Sequence, residues 1–243
     1  MHELGQTRSE QQRDHLLLTP DSFVRITLPT IERGTAIVHV SPAAGAGFAQ
    51  YTAELDAGGS LAPAEYQRFL YVLEGGVDLA SASSFHSLGS GGYAYLPAGA
   101  PHSVTTQMPS RLAVIEKPYR TLPGVEPASL LIGEESAVLS TALQGDVDVQ
   151  VRQLLPDRPA FDFAVNTMTY RPGASLSQVE AHVMEHGLLM LEGGGIYRLG
   201  ERWHAVRAGD FIWMAPFCPQ WFGALGKRPA KYLIYKDTQR PPL

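Results

Sequence analysis

The sequence has little of the chemistry that proteins use for cross-links and thiolate clusters, because only one of its 243 residues is a cysteine, Cys218. A single cysteine cannot form a disulfide or a cluster of thiolate ligands within one chain. We therefore expect any metal to be held by nitrogen and oxygen donors. No base that would activate the thiol is evident in the sequence, so we expect Cys218 to be a small buried side chain.

Positive charge and long apolar runs are also scarce. The formal net charge is −5, only 18% of the residues are charged, and no basic block occurs, so we do not expect a nucleic acid as partner. The first fifteen residues are polar, and the apolar run 16–18 is too short for a signal peptide or a membrane span. We expect a cytoplasmic protein that does not bind a membrane.

Short segments typical of β-strands make up much of the chain. Apolar or alternating runs such as VRITL, TAIVHV, RFLYVLEG and GGYAYLP recur between Gly, Pro and Ser, whereas helical periodicity is rare. Short strands at this spacing predict an all-β sandwich or barrel.

Two pairs of segments reveal an internal repeat. QRFLYVLEGGVDLA (67–80) resembles EHGLLMLEGGGIYRL (185–199), and GGYAYLPAGAPH (91–102) resembles GDFIWMAPFCPQ (209–220). Both pairs align at the same offset of 118 residues, which indicates duplication of one β-unit. The polar stretch 131–146 separates the copies, so we predict an N-terminal domain at 1–135 and a C-terminal domain at 136–243.

A motif in the first copy carries a family resemblance. Gly91, Pro97, Gly99 and His102 have the spacing G-x5-P-x-G-x2-H, the second signature motif of the cupins, and LEGG (73–76) lies where the first motif ends in glycine. The chain therefore resembles a bicupin. This resemblance implies two tandem jelly-roll β-barrels with few short helices, and both motifs would face a barrel interior.

Three candidate metal ligands lie close together in EAHVMEH (180–186). Glu180, His182 and His186 have even numbers, so on a strand their side chains point to one face. A helix would also align the two histidines, as in HExxH peptidases, but Val183 stands where that motif needs glutamate. The flanking RPGAS and HGLLMLEGGG are typical of strands and turns, which favours the strand.

The cupin motifs supply a fourth ligand. The usual first motif reads His-x-His, then Glu, whereas this sequence reads Glu-x-His-x3-His, and the position equivalent to His102 is Gln220. Two nitrogen and two oxygen donors suit octahedral Mn(II) or Fe(II) with open positions better than a closed zinc site. The predicted ligands are Glu180, His182, His186 and Gln220.

The first copy lacks this ligand set. At the same offset, the first three ligands correspond to Ala62, Ala64 and Arg68, which leaves His102 alone. One imidazole cannot hold a catalytic metal at useful affinity, so we expect the N-terminal barrel to be structural and free of metal.

Further stretches resemble one cupin family, the manganese-dependent (S)-ureidoglycine aminohydrolases. They are HLLLTPDSFV (15–24), EAHVMEHG (180–187), GDFIWMAPFCPQWFGALGK (209–227) and YLIYKD (232–237). The resemblance implies Mn2+ on the four ligands above, with Tyr197, Tyr232 and Lys236 as the other residues needed at the site. It also implies that (S)-ureidoglycine and water give (S)-ureidoglycolate and ammonia in allantoin breakdown, and cupins suggest a homo-oligomer.

Two other functions stay open at this point. The chain could be another cupin metalloenzyme, an Fe or Mn dioxygenase or decarboxylase that acts on a small organic acid. It could also be a ligand-binding cupin without catalytic activity, although the three clustered donors argue against that hypothesis.

Overall fold

The computed structural model describes residues 6–237, which form two compact units. The N-terminal barrel comprises residues 24–138 and 158–161, and the C-terminal barrel comprises 6–23, 139–157 and 162–237. Helical structure within the described chain is confined to three 3-10 turns, Pro20–Ser22, Pro42–Ala44 and Glu135–Ala137. Among residues 6–237, no helix is long and apolar enough to cross a membrane.

The strands are numbered in chain order. The first twelve are β1 (Glu10–Gln11), β2 (His15–Leu18), β3 (Arg25–Ile26), β4 (Ile31–Val40), β5 (Ala49–Leu61), β6 (Gln67–Glu74), β7 (Gly76–Ser81), β8 (Phe85–Gly89), β9 (Gly92–Leu96), β10 (His102–Thr105), β11 (Ser110–Lys117) and β12 (Leu131–Glu134). The others are β13 (Thr141–Leu143), β14 (Asp146–Gln153), β15 (Phe163–Tyr170), β16 (His186–Glu192), β17 (Gly194–Leu199), β18 (Arg202–Arg207), β19 (Phe211–Met214), β20 (Gln220–Ala224) and β21 (Ala230–Asp237).

The N-terminal barrel is built from one ten-stranded antiparallel sheet. Its strands follow the order β12-β9-β6-β11-β5-β10-β7-β8, while β4 also pairs with β5 and β3 pairs with β4. The inward side chains of these strands form one buried cluster, which includes Leu70, Val72, Leu79 and Val114. Burial of each such side chain contributes about 1.5–3 kcal/mol, so the alternating pattern in the sequence stabilises the closed sheet.

The C-terminal barrel combines two sheets around a second apolar cluster. The larger sheet has the order β1-β2-β19-β16-β21-β15-β14-β13, and the smaller has the order β18-β17-β20. Buried side chains from both sheets meet in the interior, among them Leu188, Tyr197, Phe222 and Tyr232. The predicted all-β bicupin fold, with two barrels and few short helices, is confirmed.

The N-terminal segment contributes strands to the C-terminal barrel. In β2, His15 pairs with Met214 of β19, and the amide of Ala215 donates to the carbonyl oxygen of Asp14 at 2.9 Å. The sequence-based bounds of 1–135 and 136–243 assign this segment to the first barrel, whereas its contacts place residues 6–23 with the last strands. Strand pairing over such a separation leaves no signal in local sequence patterns.

Two glycines at the repeat offset have the same conformation. Gly75 follows β6 with φ of 78°, and Gly193 follows β16 with φ of 63°, a region that other residues rarely adopt. A Cβ would strike the main chain of Pro109 at the first glycine and that of Pro229 at the second. Both turns therefore require glycine, which is why LEGG occurs in both copies.

Candidate metal centre

Main-chain hydrogen bonds hold Glu180 beside Gln220. The amide of each residue donates to the carbonyl oxygen of the other at 2.8 Å, which forms an isolated antiparallel bridge. Because Gln220 begins β20, the bridge fixes Glu180 against the sheet. The first and second cupin motifs of the C-terminal barrel meet at this bridge.

The segment between Glu180 and His186 bends, so the strand predicted through EAHVMEH is wrong. Residues 181–185 lie outside any strand, and β16 begins only at His186. The amide of Phe217 donates to the carbonyl oxygen of His182 at 2.6 Å and holds this bend. The donors approach each other through the bend and not through strand alternation, and the segment does not form the rival helix either.

The four predicted ligands form a continuous chain of contacts. Glu180 Oε2 lies 3.1 Å from His182 Nε2. The rings of His182 and His186 are 5.4 Å apart at 78°. Gln220 Nε2 then lies 3.3 Å from His186 Nδ1.

These separations fit ligands that share one cation. Bonds of about 2.1 Å at right angles place neighbouring donor atoms about 3 Å apart. In the structure, the amide nitrogen of Gln220 faces His186. A half-turn of the amide keeps its shape and would direct its oxygen, the atom with lone pairs for a metal, toward the other donors. The residues present therefore fit a divalent ion with imidazole and oxygen ligands.

Burial keeps one imidazole neutral. Burial, and after it the nearby His182 and Lys236, lower the pKa of His186 to about 3. A neutral ring at ordinary pH retains a nitrogen lone pair, which a metal ligand requires.

Two buried tyrosines lie beside the donors. The hydroxyl of Tyr197 donates to Gln220 Oε1 at 3.3 Å, and the hydroxyls of Tyr170 and Tyr232 share a hydrogen bond of 2.7 Å. Burial is the largest cause that raises the pKa of Tyr197 and of Tyr232 well above the ordinary value. Both phenols therefore stay protonated at neutral pH and can donate hydrogen bonds.

Lys236 lies opposite His186 in the pairing of β21 with β16. With the Asn166 amide oriented so that both its atoms have partners, its oxygen accepts a hydrogen bond from Lys236 Nζ at 3.0 Å. Burial lowers the pKa of Lys236, while the carboxylates of Glu180 and Asp157 oppose this by raising it. The amine is thus a partly buried, positioned group whose charge depends on its neighbours.

All the predicted site residues line one cavity of about 220 Å³ in the C-terminal barrel. They are Glu180, His182, His186, Tyr197, Gln220, Tyr232 and Lys236. Apolar side chains, including Met168 and Leu176, form much of the remaining wall. The volume suits a small organic molecule beside a metal ion.

Sequence reasoning missed two polar residues at this site. Gln144 lines the cavity from the turn between β13 and β14, where its φ of 51° is unusual for a residue other than glycine. Asn166 lies on β15 and contacts Lys236. Both come from outside the two cupin motifs, and only the pairing of distant strands places them here.

The equivalent place in the N-terminal barrel holds a guanidinium group. Arg68 is fully buried, its Nε donates to Glu116 Oε1 at 2.8 Å, and its Nη1 lies 3.1 Å from His102 Nε2. Nη1 also donates to the carbonyl oxygen of Ala62 at 2.7 Å, and the hydroxyl of Tyr51 donates to Glu116 at 3.0 Å. Arg68 and its hydrogen-bond partners therefore stand where the C-terminal barrel has its candidate metal ligands.

A second group of donor atoms surrounds the single cysteine. One donor atom each of Asp14, His15 and Cys218 lies within 4.8 Å of the others. No base beside the thiol is evident in the sequence, but in the fold β2 brings His15 next to it from the far end of the sequence. Burial raises the pKa of the Cys218 thiol to about 11, and the thiol is buried as expected.

Comparison with known proteins finds two cupin domains in the chain and relatives that match nearly its whole length. Residues 166–235 match the cupin domain, and residues 42–119 match the EutQ-like cupin domain. The chain is 42% identical to the (S)-ureidoglycine aminohydrolase of Arabidopsis thaliana over 98% of this chain and 80% of that protein. It is 30% identical to the (S)-ureidoglycine aminohydrolase of Escherichia coli (strain K12) over 92% of this chain and 88% of that protein.

A solved structure extends the similarity to the fold. The crystal structure of protein Ylba from E. coli matches with a TM-score of 0.87 at 27% identity, covering 98% of this chain and 97% of that chain. The sequence identities and coverage are those of members of one enzyme family. The chain belongs to the (S)-ureidoglycine aminohydrolase family of enzymes and contains two cupin domains.

Proposed function

We propose that this chain converts (S)-ureidoglycine and water to (S)-ureidoglycolate and ammonia, with Mn(II) bound in the C-terminal barrel. In purine catabolism this step would belong to allantoin breakdown. The bond between the α-carbon and the amine nitrogen breaks, and a new bond joins that carbon to the water oxygen. One proton of the water passes to the amine nitrogen, which leaves as ammonia, and the other stays on the new hydroxyl group.

One observation carries the proposal. The seven residues that the sequence predicts from separate segments line a single 220 Å³ cavity. Glu180, His182, His186 and Gln220 would hold the ion through two nitrogen and two oxygen donors. This mixed donor set is suited to manganese and leaves coordination positions for water or substrate.

The bound Mn(II) would act as a Lewis acid that polarises groups on the reacting carbon, and it would orient a substrate that chelates it. Lys236, held by Asn166, would bind the substrate carboxylate with its ammonium group. Tyr197 and Tyr232 would act as hydrogen-bond donors to the ureido group or the leaving amine, because their raised pKa values keep them protonated. The apolar wall limits bulk water around the substrate.

The test is release of ammonia from freshly generated ureidoglycine by protein loaded with Mn(II). We expect acceleration over spontaneous decay and one enantiomer of ureidoglycolate, with loss of both in His182→Ala. His86→Ala, which changes a partly exposed histidine in β8 of the other barrel, is the matched control and should retain activity. Equal rates for wild type and His182→Ala would contradict the proposal.

Oxygen consumption in the same assay separates the proposed hydrolase from a cupin dioxygenase. Release of ammonia without uptake of oxygen supports the hydrolase. Oxygen uptake coupled to loss of a small acid would replace the proposal with the dioxygenase. The cytoplasmic location, the homo-oligomer and the metal-free state of the N-terminal barrel stay predictions.

A further inference from the structure

Three potential metal ligands meet at the end of β2, outside the cavity described above. Asp14 and His15 stand where β2 begins, and Cys218 ends a turn that starts at Ala215. The amide of Ala215 donates to the carbonyl oxygen of Asp14 at 2.9 Å. The amide of Cys218 donates to the carbonyl oxygen of Ala215 at 3.1 Å. Main-chain contacts therefore fix the carboxylate, imidazole and thiol close together.

The side chains are arranged with one donor toward solvent and two inside. His15 and Cys218 are each only 3% exposed, whereas the Asp14 side chain is 47% exposed. Asp14 Oδ1 lies 2.9 Å from His15 Nδ1. Solvent therefore contacts the carboxylate of Asp14, whereas the sulfur is enclosed.

Two imidazole nitrogens beside this group lack hydrogen-bond partners. Nε2 of His15 and Nε2 of His204 are both buried, and neither contacts a donor or acceptor among residues 6–237. The two rings are 5.8 Å apart at 66°. Buried polar atoms normally have a partner, so these two nitrogens indicate that a water or a cation stands beside the two rings, one of which belongs to the group.

We propose that Asp14, His15 and Cys218 form a second metal site, for a divalent transition-metal ion of the zinc type. Thiolate, imidazole and carboxylate are the donors that Zn2+ takes in proteins, and three protein ligands leave a fourth position open. Binding replaces the thiol proton, which passes to solvent, and involves no oxidation or reduction. Such a site departs from the expectation that nitrogen and oxygen donors alone would hold a metal, because Cys218 would supply sulfur.

The two sites differ in chemistry and are close in sequence. Cys218 precedes Gln220 by two residues, but the Mn(II) ligands offer only nitrogen and oxygen, whereas this site offers sulfur. A thiolate favours softer ions over Mn(II). The inference does not depend on the proposed aminohydrolase reaction.

Cobalt(II) provides the test, because a thiolate bound to Co(II) gives a charge-transfer absorption band and the chain has only one cysteine. Reduced wild-type protein, first loaded with Mn(II), is titrated with Co(II). We expect the band to reach the intensity of one thiolate-bound Co(II) per chain and to disappear when Zn2+ is added, whereas Co(II) that replaces Mn(II) on nitrogen and oxygen ligands does not contribute to this band. Absence of the band from protein whose thiol is shown to be free, or its appearance only in large excess of Co(II), would overturn the site.

Variants identify the other ligands and keep the two sites separate. Cys218→Ser should abolish the band, and Asp14→Asn, a nearly isosteric change at a half-exposed position, should weaken Co(II) binding at least about tenfold. Unchanged affinity in Asp14→Asn would contradict the ligand set. His182→Ala should keep the full band, and its loss there would show that the thiolate site is not separate from the Mn(II) ligands.

Discussion

The two barrels place different charges at corresponding positions. In the N-terminal barrel, Arg68 on β6 pairs across the sheet with Glu116 on β11. In the C-terminal barrel, His186 on β16 pairs with Lys236 on β21, and a carboxylate comes instead from Glu180. The N-terminal barrel therefore carries a buried cation of its own, the guanidinium of Arg68. Under the proposed function, the C-terminal barrel instead presents neutral and anionic donors to a metal ion.

This difference bears on the space available at the site in each barrel. The guanidinium of Arg68 uses its hydrogen-bond donors on Glu116, Ala62 and His102, so its contacts are made within the barrel. In the other barrel, the smaller imidazole of His186 leaves room for a cavity of about 220 Å³. A change of side-chain size and charge at one strand position separates a structural network from a candidate catalytic site.

The most severe way to break the comparison is His186→Arg, which copies the N-terminal residue into the C-terminal barrel. We expect ammonia release to fall at least about 1000-fold, because a metal ligand is lost and a cation occupies its place. The new guanidinium would also face the amine of Lys236. The double variant His186→Arg/Lys236→Glu should regain stability in urea unfolding without regaining activity, and activity above a tenth of wild type in the single variant would contradict the account.

Arg68→Met breaks the N-terminal network and should affect stability instead. It leaves the carboxylate of Glu116 without its cation, so we expect the free energy of unfolding to fall by about 2–3 kcal/mol. This loss is smaller than for a fully buried ion pair because the Glu116 side chain is 18% exposed. Arg68→Met/Glu116→Leu should recover most of this loss. Urea unfolding measures it, and a fall in kcat of the folded protein comparable to that in His186→Arg would refute a purely structural role.

A buried histidine in the N-terminal barrel should make stability depend on pH. Burial, followed by the charge of Arg111, lowers the pKa of His39 from 6.5 to about 3. Between these values the unfolded chain binds a proton that the folded chain does not, so stability falls as the pH drops below 6.5, by about 1.4 kcal/mol per pH unit. His39→Gln should remove this part of the slope in urea unfolding between pH 6 and about 4.

The matched control for this slope is His86→Gln. His86 is partly exposed on β8, so the substitution removes an imidazole without touching a buried one. We expect the control to keep the wild-type slope. Equal slopes in His39→Gln and wild type would show that burial of His39 does not determine the pH dependence.

The smallest expected effect concerns Asn166, a positioning residue with no counterpart in the cupin motifs. Asn166→Ala removes the acceptor for Lys236 Nζ, and we expect kcat/KM to fall about tenfold. Asn166→Asp retains an acceptor and raises the pKa of Lys236, so it should restore most activity and shift the alkaline limb of the pH profile upward. Thr169→Ala on the same strand is the control, and failure of Asn166→Asp to differ from Asn166→Ala would argue against positioning.

The sequence predicts much of this molecule because its strongest signals are local. Alternating runs and the 118-residue offset predict two β-barrels, and the offset also relates Gln220 to His102. The path of EAHVMEH is different. Strand parity groups Glu180, His182 and His186, but the structure uses a bend fixed by the bridge to Gln220 and by Phe217, neither of which is near in sequence.

Residues that reach a site through long-range pairing were not predictable. Asn166 reaches Lys236 because β15 pairs with β21, and His15 reaches Cys218 because β2 pairs with β19. Local patterns indicate that such segments are strands but do not specify their neighbours. For the same reason, the replacement of a ligand by Arg68 was visible in the sequence, whereas its partner Glu116 was not.

The most direct test of the central claim is the amount of Mn(II) bound per chain after loading and removal of free metal. The account predicts one Mn(II) in wild type, almost none in His182→Ala, and one in His102→Ala, which changes the single histidine of the corresponding N-terminal position. Elemental analysis of the three proteins gives the answer. Full Mn(II) in His182→Ala, or its loss from His102→Ala, would contradict a manganese centre in the C-terminal barrel.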